Sequence, residues 1–193
     1  MQKVIKYRIS DDNDFVREIE IKEDASFKDL HTAIQQNCKY DPTLITTFYV
    51  ADDNFEAIDE PENEILLERM DEKTQNDCPL MEETPLNVVK PEKGMKYLYM
   101  YDLLSERCFN VEIVGIRNYT KKDEKVDFPK CTLAEGNPPE QIKLDDIDDE
   151  FDEKVPLDDF DDLDEEEENP YYDNEYEDGY DEFGGGYNDD YNY

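Results

Sequence analysis

The sequence predicts an α+β domain, a small mixed sheet with one main helix, followed by a disordered acidic tail. Three observations predict it. Two short stretches near the start alternate apolar and polar residues, the stretch after them repeats its apolar residues every three or four positions, and acid density jumps past residue 143. The 193 residues include 20 basic and 55 acidic side chains. From Leu144 onward 24 of those acids stand against one base, Lys154, so residues 144–193 carry −23 and residues 1–143 the remaining −12. The expected domains are therefore 1–143, folded, and 144–193, acidic and tyrosine-rich. Roughly 140 residues bury about two thirds of the surface their unfolded chain exposes, which is enough for a core. A segment as charged as the second buries too little apolar surface to offset its ordering entropy.

Taken in order, residues 4–9 place Ile5, Tyr7 and Ile9 on one side and Lys6 and Arg8 on the other, and the turn residues 10–14, SDDND, follow. Residues 15–22 alternate again, with Ile19 and Ile21 opposite Glu18 and Glu20, so the two make a hairpin with one wet face. Ser26 and Asp29 have capping-box spacing before a helical stripe of Phe27, Leu30, Ile34 and Cys38, which Pro42 is expected to stop. Residues 45–50 read as a strand, with residues 55–58 as its partner beyond an ADDN turn. The resulting β-β-α-β-β order resembles a ubiquitin-like, or β-grasp, core.

Residues 65–70 fit strand or helix, residues 71–79 read as loop, and Thr84 with Pro85 has the form of a short helix start. After Gly94, residues 95–103 and 108–116 are expected to form two strands of the main sheet, joined by Ser105, Glu106 and Arg107. Phe109, Val111 and Ile113 fall on the buried side. Residues 117–141 lose periodicity and hold two proline sites, which reads as an ordered wrap closing the domain.

Three stretches together resemble the plasmid pRiA4b ORF-3-like family. That family has a helix of the form TLxxLHxxIQ, a strand pair YxYDFGDxWxHxIxVE and a closing YPxCxxGxGxxPPED. Here SFKDLHTAIQQ, residues 26–36, matches the first, and YLYMYDLLSERCFNVEIV matches the second through Tyr101, Asp102, Val111 and Glu112. FPKCTLAEGNPPEQ matches the third through Phe128, Pro129, Cys131, Gly136, Pro138, Pro139 and Glu140. The family's Gly-Asp pair is Leu104 and Ser105 here, and its Trp and His positions read Arg107 and Phe109. The resemblance covers about residues 1–143. It implies a small α+β domain, borne on mobile elements as well as chromosomes, and brings no established activity. It also implies that any polar site built on those family positions is absent or remodelled here.

Composition narrows function by exclusion. Duplex binding is driven by Lys and Arg displacing counterions, so this acidic balance argues against nucleic acid as a direct partner. The one basic cluster, Lys121, Lys122 and Lys125, is interrupted by Asp123 and Glu124 and reads as a solvated loop. The N-terminus lacks a signal-peptide run and no stretch approaches the 18 or so apolar residues of a membrane span. Cys38, Cys78, Cys108 and Cys131 form no C-x-x-C pair, so free thiols in a reducing cytoplasm are expected. No Gly-rich phosphate loop is present, because the GGG at 184–186 follows no strand and no base. No cofactor, no metal site and no catalytic set is assigned.

His31, the only histidine, lies beside the helix stripe, where packing or hydrogen bonding is its expected role. Cys131 reads as a buried structural thiol and Cys38 as core. Asp102 with Glu106 and Glu112 has the residue types of a hard-metal site, set against a reading as solvated and turn-forming carboxylates. In the tail, Phe151, Leu157, Phe160 and Leu163 stand among acids, the last three at helical spacing, and form the expected partner-binding site. The function this suggests is a non-enzymatic binding or accessory protein whose acidic tail engages a basic protein surface. Two alternatives remain open: a nucleic-acid mimic acting on a DNA-binding or transposition-related partner, and an enzyme or metal-binding domain using Asp102 and Cys131.

Overall fold

Period-two alternation pairs the start of the chain with itself. Strand β1 (Lys3–Ser10) lies antiparallel to β2 (Val16–Lys22), with Ile5 opposite Ile21, Tyr7 opposite Ile19 and Ile9 opposite Arg17. From Ile5 onward the odd-numbered side is buried and the even-numbered side is half-buried or exposed, and Val4 is buried as well. On the wet side opposite charges face each other across the pair. Arg8 meets Glu18 at 2.7 Å, and Lys6 sits 3.5 Å from both Glu18 and Glu20. The structure, a computed structural model, describes residues 2–69, 77–103 and 105–141.

Helix α1 (Phe27–Cys38) starts at a capping box. The Ser26 hydroxyl accepts from the Asp29 N–H at 3.1 Å, and the Asp29 carboxylate accepts from the Ser26 N–H at 2.8 Å. Two further N-terminal amides of the helix, those of Phe27 and Lys28, donate to the carbonyls of Thr84 and Met81. Residues 81–86 are thus held against the helix start by a turn and a bridge between Ser26 and Pro85, and Thr84 and Pro85 head no helix. Consecutive turns follow them instead. The other end of α1 closes at Lys39, whose φ of 59° is left-handed. Pro42 therefore follows a stop already made.

Strand β3 (Thr47–Ala51) forms as expected, and residues 55–58 meet its end only through one antiparallel bridge, Ala57 to Ala51, with the Ile58 N–H donating to the Val50 carbonyl at 2.9 Å, rather than as a strand. The Asp52 carboxylate accepts from the amides of Asn54 and Glu56 and curls that segment into a loop, and β3 pairs with β4 (Glu64–Leu66) on one side. On its other side runs β5 (Lys96–Asp102), which pairs with β6 (Arg107–Asn118), so the predicted late strand pair is in the main sheet. Within the wrap expected at 117–141 lies a further strand, β7 (Lys130–Glu135), on the free side of β2. Its side chains are exposed or half-buried, and the alternation of Cys131 and Leu133 with Lys130 and Thr132 is too short and too weakly buried to read as a strand.

The strand order is β4-β3-β5-β6-β1-β2-β7, and all the pairings between these strands are antiparallel rather than mixed. Only the opening, a hairpin followed by a helix, matches the ubiquitin-like order, since β1 is antiparallel to both of its neighbours. One sheet face packs on α1. Phe27, Leu30 and Ile34 of the helix meet Ile5, Tyr7, Ile19, Phe48, Tyr97, Tyr99, Phe109 and Val111 of the sheet. Rings run through this layer, with Phe27 to Phe48 at 5.4 Å and Phe48 to Tyr99 at 4.7 Å between centroids.

Candidate functional site

The register brings the β1–β2 turn, the β5–β6 turn and the end of α1 to one end of the sheet. All three stretches that resemble family motifs meet there. Tyr40, just past α1, stacks near Tyr101 of β5 and Phe109 of β6, which are themselves 4.3 Å apart, and Phe15 stacks on Phe109 at 4.9 Å. Phe109, at the family's His position, is thus the fully buried centre of an aromatic stack.

The segment after β7 crosses this end as a strap held by its own acceptors. Tyr40 Oη donates to the Pro139 carbonyl at 2.6 Å, Arg107 Nη2 to the Glu140 carbonyl at 2.8 Å, and the Asp41 N–H to Gln141 Oε1 at 2.7 Å. Where the strap leaves β7, Gly136 has φ +66°, and a Cβ there would stand 2.4 Å from the Asp14 carbonyl oxygen. Only glycine fits that approach. Arg107, at the family's Trp position, donates to the buried Asp102 carboxylate through Nε (3.0 Å) and Nη2 and lies 5.4 Å from the Tyr101 ring centroid. Where the family has Trp and His, this chain has an ion pair and a ring.

Between the end of α1 and the strap lies an open groove of about 650 Å³, lined by Cys38, Lys39, Tyr40, Asp41 and residues 138–141. Burial pushes the Cys38 thiol up to about 12, so the groove presents it uncharged. Gln141 uses its oxygen on Asp41, while its Nε2 is buried with no hydrogen-bond partner among the described residues.

Arg17 holds the start of the strap that walls the groove. On β2 it shares the face of Ile19 and Ile21, and it is buried, at 8% exposure. Its guanidinium donates through Nη1 to the Val16 (2.9 Å) and Glu135 (2.6 Å) carbonyls and through Nη2 to the Gly136 carbonyl (3.2 Å). It also lies 4.5 Å over the Phe15 ring. Sequence reasoning passed over Arg17, Tyr40 and Gln141. For Arg17 a signal existed, since an arginine on the apolar parity of a half-buried strand is a charge the fold must accommodate.

The other candidates do not gather at this end as chemistry. His31 is buried under the sheet, with Nδ1 2.9 Å from Tyr99 Oη and 3.1 Å from Thr46 Oγ1. Gln35 Nε2 donates to Tyr99 Oη at 2.7 Å, so Gln35, Tyr99, His31 and Thr46 form one buried polar network. Burial holds the imidazole down to about 4, and Lys28 adds to this. The expected packing and hydrogen-bonding role is what His31 performs. Cys38 is core, as expected, whereas Cys131 is half-buried rather than buried and points its Sγ at the Leu133 carbonyl, 3.1 Å away.

Strands β6, β1 and β2 separate Asp102 on β5 from Cys131 on β7, so those two do not converge. Glu112 faces Arg8 and Lys96 in register on the wet side, and Glu106 sits exposed in the β5–β6 turn. Among the described residues no three His, Cys, Asp or Glu side chains come together to hold a metal ion. Nor is any helix among them long and apolar enough to cross a membrane. Leu104, the expected tail at 144–193 and its partner-binding residues Phe151, Leu157, Phe160 and Leu163 lie outside the described residues.

Comparison with known proteins adds a family and a fold. A family model described as plasmid pRiA4b ORF-3-like protein matches residues 5–183, reaching past the boundary that charge density suggests at 143. The chain is similar in structure to the crystallised protein of unknown function MM3350 from Methanosarcina mazei Go1. The TM-score is 0.52 at 21% identity, over 69% of this chain and 70% of that one. No curated protein matches the chain.

Proposed function

We propose that this chain, which belongs to the plasmid pRiA4b ORF-3-like protein family, is a non-enzymatic binding or accessory protein whose acidic C-terminal segment engages a basic protein surface in the cytoplasm. The observation that carries this reading is the charge distribution, 24 acids against one base in residues 144–193. Such a segment attracts a basic partner over a Debye length, and Phe151, Leu157, Phe160 and Leu163 supply the apolar contact that turns encounter into binding. The described residues support binding over catalysis in one further respect. The groups a reaction would use, His31 and Asp102, are committed to Tyr99 and Arg107.

The reading is tested with full-length protein and a variant carrying Ala at Phe151, Leu157, Phe160 and Leu163. Affinity capture with mass spectrometry identifies partners, and each is then titrated at rising salt. Basic proteins are expected, with affinity falling steeply between 50 and 200 mM salt, on the order of the electrostatic steering lost over that range. The fourfold variant is expected to bind roughly tenfold more weakly, the equivalent of about 1.4 kcal/mol. Partners that bind both proteins equally at every salt concentration exclude the role given to the segment.

A further inference from the structure

We infer that the groove between the end of α1 and the strap at 138–141 binds a small anion bearing a carboxylate or phosphate group, with the buried Arg17 guanidinium as its charge partner. The inference rests on the folded residues alone and stands whether or not the acidic segment binds a protein.

The starting point is an imbalance of charge. Arg8, Arg107 and Arg117 each face a carboxylate, on Glu18, Asp102, and Glu20 with Asp123 respectively. Arg17 is more buried than any of these, yet among the described residues no Asp or Glu oxygen lies within 4.0 Å of it. Its partners are three backbone carbonyls and the face of one ring, which satisfy hydrogen bonds and supply only partial negative charge. A guanidinium has five N–H groups and stays charged at any working pH, so it cannot relieve its burial by losing a proton. Three of the five are engaged. The Nε–H and one Nη2–H have no partner among the described residues. A guanidinium edge of Nε–H and Nη2–H is the fork by which arginine grips two oxygens of one oxyanion.

The groove supplies the space and a further donor. The strap residues that Arg17 holds, Glu135 and Gly136, run directly into Pro138, which lines the groove, and the groove-lining Cys38 thiol feels the Arg17 charge. Gln141 Nε2, also on the groove wall, is a buried donor without an acceptor. Lys39, likewise lining the groove, adds positive charge at its mouth. Asp41 and Glu140 line it too, and Asp41 Oδ1 is turned toward the Thr43 N–H and hydroxyl. The carboxylates limit the fit to an anion small enough to sit against Arg17 and Gln141.

The test uses the full chain at constant ionic strength, titrated with potassium phosphate, with sodium malonate and with sodium chloride. Thermal stability and the NMR signals of the Arg17 Nε–H and the Gln141 side-chain amide are followed. Saturable shifts of both signals with phosphate, malonate or both, and none with chloride, are expected, and the stronger of the two identifies the ligand's charged group. Gln141→Glu keeps the acceptor used by Asp41 and puts an oxygen in place of the unpaired donor, so it is expected to weaken binding at least tenfold. Arg17→Lys is expected to abolish it. Should Arg17→Lys fail to fold, Gln141→Glu decides alone. The inference is overturned by an absence of saturable shifts with either oxyanion, or by equal binding in wild type and Gln141→Glu.

Discussion

Two regions of this chain are held by different physics. The layer between α1 and the sheet is held by apolar and aromatic burial, with Ile5, Phe27, Phe48 and Phe109 fully inaccessible. The strap at 136–141 is held by directed hydrogen bonds onto its carbonyls from Arg17, Tyr40 and Arg107, together with one glycine that lets it approach. Burial is cumulative and tolerates exchange of like for like, whereas a latch of single donors fails one donor at a time. The difference teaches where to look for function. The burial layer sets stability, and the latch region carries the groove and the residues by which this chain departs from its family.

Substitutions that break this contrast fall in a clear order. Phe109→Ala removes the ring shared by the core and the aromatic stack and is expected to cost about 4 kcal/mol, read by urea unfolding. Next comes a pH effect from the core. His31 has a folded pKa of about 4 against an ordinary 6.5, so the unfolded chain binds more protons between those values. The stability contributed is fully present above about pH 6.5 and is lost as pH falls toward 4, by about 3 kcal/mol. Denaturant titrations across that range should show the slope in wild type and not in His31→Gln. An equal slope in both would assign it to carboxylates such as Glu18, whose pKa the Arg8 hydrogen bond lowers.

On the latch side, Gly136→Ala drives a Cβ into the Asp14 carbonyl and is expected to cost about 2 kcal/mol. Amide exchange should quicken at Asp41, whose N–H is protected by Gln141, more than in the core strands. Tyr40→Phe removes a single donor and is expected to cost about 1 kcal/mol with the same local signature. A change of opposite sign sharpens the contrast. Tyr7 Oη is buried among the core residues without a hydrogen-bond partner among the described residues, so Tyr7→Phe is expected to leave stability unchanged or raise it by up to about 1 kcal/mol.

Legibility followed the same division. The β1–β2 hairpin, the capping box at Ser26 and Asp29, the α1 stripe and the β5–β6 pair were readable because each buries one face, and a buried face imprints a period on the sequence. Strand β7 was not readable because an edge strand buries no side chain fully, and the half-buried pair Cys131 and Leu133 is too short an alternation to stand out. Residues 55–58 pair with β3 only at the Ala57–Ala51 bridge because the Asp52 carboxylate takes the Asn54 and Glu56 amides, a local competition that propensity does not weigh. Thr84 and Pro85 have the form of a helix start, yet the Thr84 and Met81 carbonyls serve as acceptors for the first amides of another helix. Of the candidate site, the sequence marked the family stretches that meet there. It did not show that they meet, nor that Arg17 belongs with them.

By itself, then, the sequence determined the α+β class, the hairpin–helix opening, the late strand pair and the acid imbalance past residue 143, because local periodicity and charge need no partner to be read. Tertiary structure alone decided the antiparallel order of seven strands, the strap across one end and the placement of a buried arginine at the start of the strap that walls a groove. Those depend on contacts such as Arg17 with Glu135, which lie more than a hundred residues apart in the chain and leave no pattern between neighbours.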